Sequence, residues 1–164
     1  MSVIEIIMYK QLISLLICCG LFSGSFAQEG KPGIAPFKIR LVNGEGFTHQ
    51  QLKKGKPVIL VYFSPTCDHC KLFTAAMLKR QETLNEKQIV LISFEDLGEV
   101  RKFDDLFNLS SHPNIKIGSE GYTFVVQRFY RVEHFPFVAE YNKEGKLEKI
   151  LSQKLKPEEM AAQL

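Results

Sequence analysis

The sequence predicts an α/β domain with a central mixed β-sheet flanked by helices. Three observations point there. Val58-Ile59-Leu60-Val61-Tyr62-Phe63 and Gln88-Ile89-Val90-Leu91-Ile92-Ser93-Phe94 are near-continuous apolar, β-rich runs, the pattern of central strands covered on both faces. A segment with helical apolar spacing comes after each run, and alternating strands and helices build such a sheet. Further on, Asn142-Lys143-Glu144-Gly145 joins two short strand patterns as a hairpin turn, which adds antiparallel strands.

In chain order, 37–42 alternates apolar and polar residues through Leu41. It reads as a half-buried strand that Asn43-Gly44 ends in a turn. Residues 48–54 read as one short helical turn. Pro65 stops the strand over 58–63. From Asp68 the period becomes helical: Leu72, Phe73, Ala76, Met77 and Leu84 place a helix that reaches about Glu86. After the strand over 88–94, Val100, Phe103, Leu106 and Phe107 put a helix over 97–109. The stretch 110–121, with His112-Pro113, Gly118 and Gly121, reads as irregular. A helix over 122–130 would turn Phe124, Val125 and Phe129 inward. Strands come next over 137–141 and 147–151, and Pro157 opens a terminal helix, since proline suits the first helical turn. The 13 Phe and 5 Tyr, with 0 Trp, read as core packing.

The 164 residues, 45% of them hydrophobic, suffice for one globular domain. Residues 1–27 differ in character from the rest of the chain. The apolar run 12–22 is preceded by Lys10 and is too short to span a bilayer, which takes about 20 residues. It suits the core of a signal peptide, and Ser25-Phe26-Ala27 supplies the small residues for cleavage after Ala27. The competing reading is an uncleaved membrane anchor. The expected organisation is a signal peptide at 1–27, a flexible lead at 28–36 and one domain at 37–164. The mature chain would then lie outside the cytoplasm, in the periplasm or secreted.

Of the 4 cysteines, Cys18 and Cys19 fall in the leader, which leaves Cys67 and Cys70. A bridge between residues three apart closes a very short loop and constrains the unfolded chain least, so a purely structural disulfide is weakly motivated. Cys67 comes after a buried strand and begins a helix. Unpaired backbone N–H groups and the helix dipole there favour a thiolate over a thiol, and helix N-termini lower the cysteine value from about 8.5. Cys70 stands one turn along, within reach of Cys67. The pattern is a redox pair in which Cys67 attacks and Cys70 resolves. His69 could donate to the Cys67 sulfur or add positive charge, while Asp68 acts in the opposite sense.

A Cys-x-x-Cys pair also builds half of a zinc site. The remaining ligands would come from His49, His112 and His134, yet no second such pair stands in the chain. A metallochaperone using Cys67, Cys70 and His134 is therefore one alternative. A non-catalytic binding module is another. The formal net charge is +3, and the densest basic cluster, Lys53-Lys54-Gly55-Lys56, has no aromatic residue interleaved. Nucleic-acid binding has no support in that pattern.

A buried strand, then Cys-x-x-Cys, then a long amphipathic helix resembles the thioredoxin superfamily. Glu133-His134-Phe135-Pro136-Phe137 stands just before a strand, where that family carries a cis-proline beside its cysteines. The exported leader, Asn43-Gly44, Gly55-Lys56-Pro57 and the extra segment before Pro136 are most similar to the TlpA/ResA branch of extracytoplasmic thiol–disulfide oxidoreductases. The resemblance covers about 37–155. It implies a thioredoxin-like fold and a catalytic Cys67/Cys70 pair tuned by His69. Phe135 and Pro136 would hold the backbone of protein thiol or disulfide substrates. It implies no cofactor or metal, a monomer, and a membrane-linked redox partner protein. Four positions depart from the pattern. Thr66 replaces the tryptophan before the first cysteine. Val61 stands where a buried acid helps deprotonate the second. Asp68 replaces glycine or proline. A histidine before the second cysteine is more typical of DsbA and protein disulfide isomerase. The direction of electron flow is left open.

Overall fold

The computed structural model describes residues 33–164, so the leader over 1–27 and the lead up to residue 32 lie outside the described residues. The elements are β1 (Lys38–Leu41), β2 (Gly46–Thr48), β3 (Val58–Tyr62), α1 (Asp68–Leu78), α2 (Gln81–Leu84), β4 (Gln88–Ser93), α3 (Leu97–Phe107), β5 (Ile115–Ser119), α4 (Val125–Tyr130), β6 (Phe137–Tyr141), β7 (Leu147–Ile150) and α5 (Pro157–Ala162). Short 3-10 turns occupy His49–Gln51, Leu109–Ser111 and Gly121–Thr123. Among the described residues no helix is long and apolar enough to cross a membrane.

The strands form one 7-stranded mixed sheet in the order β2-β1-β5-β4-β3-β6-β7. β3 is parallel to β4 and antiparallel to β6, and β4 is parallel to β5. All five residues of β3 are buried, as its unbroken apolar run requires. Successive side chains of a strand point to opposite faces. Ile59, Val61 and Phe63 therefore pack with Phe73 and Met77 of α1, Val100 and Phe103 of α3 and Met160 of α5. Val58, Leu60 and Tyr62 pack on the other face with Phe37, Ile39, Val126 and Val132. The thioredoxin-like architecture expected from the sequence is present.

Several elements differ from the sequence reading. The helix placed over 68–86 is two helices, because Arg80 leaves the helical region (φ −106°, ψ 12°). Leu84 nonetheless stays buried, so the apolar spacing runs on across the break. The stretch 110–121 contains β5, a strand between β1 and β4. Residues 48–54 hold the end of β2 and a 3-10 turn. In α4 the buried residue is Val126, while Phe129 is 42% exposed. Gly33–Pro36 of the expected lead lie against the domain. Ala35 is fully buried, and its N–H donates to the Tyr130 hydroxyl at 3.0 Å.

Gly118 explains how β5 escapes notice. It pairs with Leu41 on one side and Ile92 on the other. A Cβ at this position would lie 2.4 Å from the Arg40 carbonyl oxygen, so the strand needs glycine where sequence patterns suggest a loop. Gly118→Ala should force β1 and β5 apart and cost about 1–3 kcal/mol, as overpacking does. A urea titration checks this as a lower midpoint at unchanged slope.

Candidate active site

The site is built where β3 ends and α1 begins. Phe63 N–H still donates to the Ile92 carbonyl at 3.0 Å, after which Pro65, which has no N–H to give, ends the ladder. Cys67 N–H turns back onto the Ser64 carbonyl at 3.1 Å. Cys67 is the N-cap of α1, with extended backbone (φ −78°, ψ 117°). Its sulfur takes the place of the usual capping oxygen and accepts the Cys70 N–H at 3.3 Å. On its other side the Cys67 thiol faces the Phe135 carbonyl oxygen at 3.8 Å.

The two sulfurs live in different surroundings. Cys67 is partly exposed and Cys70 is 1% exposed, and neither is in a disulfide here. Cys70 belongs to the apolar cluster that holds Val61, Phe63 and Phe73. Burial pushes the Cys70 thiol well above the ordinary range, and its hydrogen bond with Cys67 acts in the same direction; the Ser64 backbone opposes both. Val61, where the resemblance placed an acid in other members, is 1% exposed and apolar. The buried carboxylates are engaged elsewhere: Asp104 with Ser110, Glu120 with Tyr62, and Glu140 near Lys87 and Lys149.

The structure places the remaining expected residues at several points. The Phe135–Pro136 peptide is cis, and Pro136 is buried beside β6. Asp68 pairs with Lys71 at 2.9 Å, whose hydrogen bond and charge hold its carboxyl below the usual range. His69 is exposed and lines a groove together with His134; the Cys67 sulfur takes its contacts from Cys70 and Phe135 instead. His49 sits in a 3-10 turn with its ring edge toward Phe37, and His112 caps another 3-10 turn. Among the described residues no three His, Cys, Asp or Glu side chains form a ligand cluster, so Cys67, Cys70 and His134 are not assembled as one.

Two features went unread in the sequence. Ser64 Oγ donates to Glu95 Oε1 in a short hydrogen bond, and it lies 2.9 Å from Thr66 Oγ1. This small network anchors the loop that carries Cys67. Phe135 also stands in an aromatic cluster, 5.8 Å from Tyr62 and 5.8 Å from Phe94, which in turn meets Phe124 at 5.6 Å. Tyr62 is fixed from below, since its hydroxyl donates to Glu120 at 2.7 Å. In the sequence Tyr62, Phe94, Phe124 and Phe135 each read separately, and nothing local joins them into one cluster.

Comparison with known proteins agrees with the geometry. The family model described as Thioredoxin matches residues 38–131, more than half of the chain, and the chain belongs to that family. Three solved structures are similar in fold. A secreted Mycobacterium tuberculosis disulfide oxidoreductase homologous to E. coli DsbE has TM-score 0.60 and 21% identity, over 79% of this chain and 96% of that one. A putative thiol:disulfide interchange protein DsbE from Chlorobium tepidum has TM-score 0.60 and 18% identity, over 74% and 84%. A thioredoxin-family thiol:disulfide interchange protein from Chlorobium tepidum TLS has TM-score 0.62 and 18% identity, over 82% and 96%. No curated protein matches the chain at a significant level.

The difference in burial sets an expected reactivity. At pH 8 in the reduced native chain, iodoacetamide should label Cys67 at least about tenfold faster than Cys70, because thiolate character and access control the rate. Since the Cys70 value is raised, its labelling should climb only at higher pH than for an ordinary thiol. Peptide mass mapping after timed quenching measures both.

Proposed function

We propose that this chain is an extracytoplasmic thiol–disulfide oxidoreductase acting on protein substrates through Cys67 and Cys70. The observation that carries the reading is the asymmetric pair. One sulfur is accessible at a helix start and faces a backbone carbonyl at 3.8 Å, while the other is sealed one turn behind it. Family membership and the similarity to solved disulfide oxidoreductases support it.

In the reducing direction, the Cys67 thiolate attacks one sulfur of a substrate disulfide. A mixed disulfide forms, and the other substrate sulfur leaves as thiolate. Cys70 then gives up its proton and attacks the Cys67 sulfur. The Cys67–Cys70 disulfide forms and the second substrate thiolate departs, taking up a proton. Two electrons and the Cys70 proton have passed to the substrate, the first leaving thiolate takes its proton from water, and the reverse sequence oxidises a dithiol. No cofactor is needed. The Cys70 N–H stabilises charge on the Cys67 sulfur, Phe135 and Pro136 would align the substrate backbone, and His69 would add positive charge nearby. A redox partner linked to the membrane would restore the starting state of a monomeric chain whose leader is cleaved after Ala27.

The apolar wall around Cys70, with Val61 in it, favours a second reading as a binding module with a slow pair. The two separate in one assay. With dithiothreitol as donor, the wild-type chain should accelerate insulin reduction, Cys67→Ser should abolish the acceleration, and Cys70→Ser should accumulate a mixed disulfide with substrate. Activity that survives Cys67→Ser, or no acceleration by wild type, contradicts the enzyme reading.

A further inference from the structure

Beside the cysteine pair lies a groove that the redox chemistry does not itself require. It has a volume of about 520 Å³ and is lined by Phe135, whose carbonyl lies 3.8 Å from the Cys67 sulfur, and by Pro136. His69 and His134 also line it, as do Lys154 and Lys156 of the segment between β7 and α5. Leu155 and Met160 supply apolar surface. Gln153 Nε2 donates to the His134 carbonyl at 2.8 Å and ties the two walls together.

The charge in this groove is one-sided. Its ionisable lining is two lysines and two histidines, and no carboxylate lines it. Both lysines are exposed, and among the described residues neither ammonium takes part in a salt bridge. The neighbouring acids are turned to other work or stand outside: Asp68 pairs with Lys71, Glu159 accepts the Lys156 backbone N–H at 3.0 Å, and Glu133 and Glu158 are exposed outside the lining.

We propose that this groove receives the residues flanking the reactive cysteine of a polypeptide substrate, and that it selects for Asp or Glu among them. The inference rests on the redox reading above. A chain whose cysteine bonds to Cys67 has its next few residues within reach of the groove, since each extended residue spans about 3.3–3.6 Å. Carboxylates are the groups that complement its unpaired ammonium ions. Such exposed charges act chiefly on the rate of encounter and are screened by salt.

The test uses the Cys70→Ser chain and peptides whose single cysteine is a mixed disulfide with thionitrobenzoate. The Cys67 thiolate attacks the peptide sulfur, the Cys67–peptide disulfide forms, and thionitrobenzoate leaves with the electron pair of the broken bond. Its colour gives the rate. Peptides carry Glu, Gln or Lys on either side of the cysteine, and each rate is divided by that of 2-mercaptoethanol with the same peptide. The Glu peptide should react about tenfold faster than the Lys peptide at low salt, with the ratio falling toward one at about 0.5 M salt. Replacing Lys154→Gln and Lys156→Gln together should cut the low-salt ratio to about threefold or less. Equal normalised rates, a faster Lys peptide, or a ratio unchanged by salt overturns the groove proposal while Cys67-dependent release upholds the redox reading. Absence of release with every peptide overturns both. The salt series on the parent chain decides the matter even where the double variant does not fold.

Discussion

The register between β3 and β6 is the constraint on which the site depends. The two strands are antiparallel, with Tyr62 opposite Phe137. The end of one strand therefore meets the beginning of the other, and the loops at 63–67 and 131–136 lie at the same end of the sheet. That pairing brings Phe135 within 3.8 Å of a sulfur 68 positions earlier in the chain. A slip of β6 by one residue would turn Phe137, Ala139 and Tyr141 away from the cluster they share with Tyr62, so the register is strongly specified. The sheet is thus the means by which a helix start and a proline loop become one site.

Burial then divides the labour between two chemically identical side chains. Cys67 lies at the rim and takes a backbone N–H; Cys70 lies among Val61, Phe63 and Phe73. A thiol in apolar surroundings resists ionisation, so the outer sulfur is the one poised to meet a partner. The loop between β3 and α1 is held from the side by the contact of Ser64 with Glu95. The aromatic set of Tyr62, Phe94, Phe124 and Phe135 supports the opposite wall. Phe135 belongs both to this aromatic set and to the lining of the basic groove, so the two features meet beside the accessible sulfur.

Much of this was legible in the residues, for identifiable reasons. β3 and β4 are buried on both faces, so continuous apolar runs announce them. Pro65, the Cys67–Cys70 spacing and the helical period after Asp68 place the site at a strand-to-helix junction. Phe135-Pro136 could be placed only through resemblance, because nothing local couples residue 135 to residue 67; the sheet register does that. β5 hid behind Gly118, whose requirement for close approach to Arg40 looks like a turn when read locally. The break at Arg80 hid because both helix pieces keep an apolar face inward. The Ser64–Glu95 contact and the basic groove join segments distant in sequence, and no spacing rule connects them. His69 and His134, 65 positions apart in the chain, line the same groove, which no local spacing reveals.

The two sulfurs of Cys67 and Cys70 should join and separate reversibly. Equilibrating the chain across a series of reduced-to-oxidised glutathione ratios, quenching with acid and weighing the intact protein measures this. A single transition is expected between a dithiol and a species lighter by two hydrogens, linked Cys67 to Cys70, with a midpoint that reports the preferred direction of electron flow. A chain that gains only glutathione adducts, or that stays a dithiol across the whole series, contradicts it.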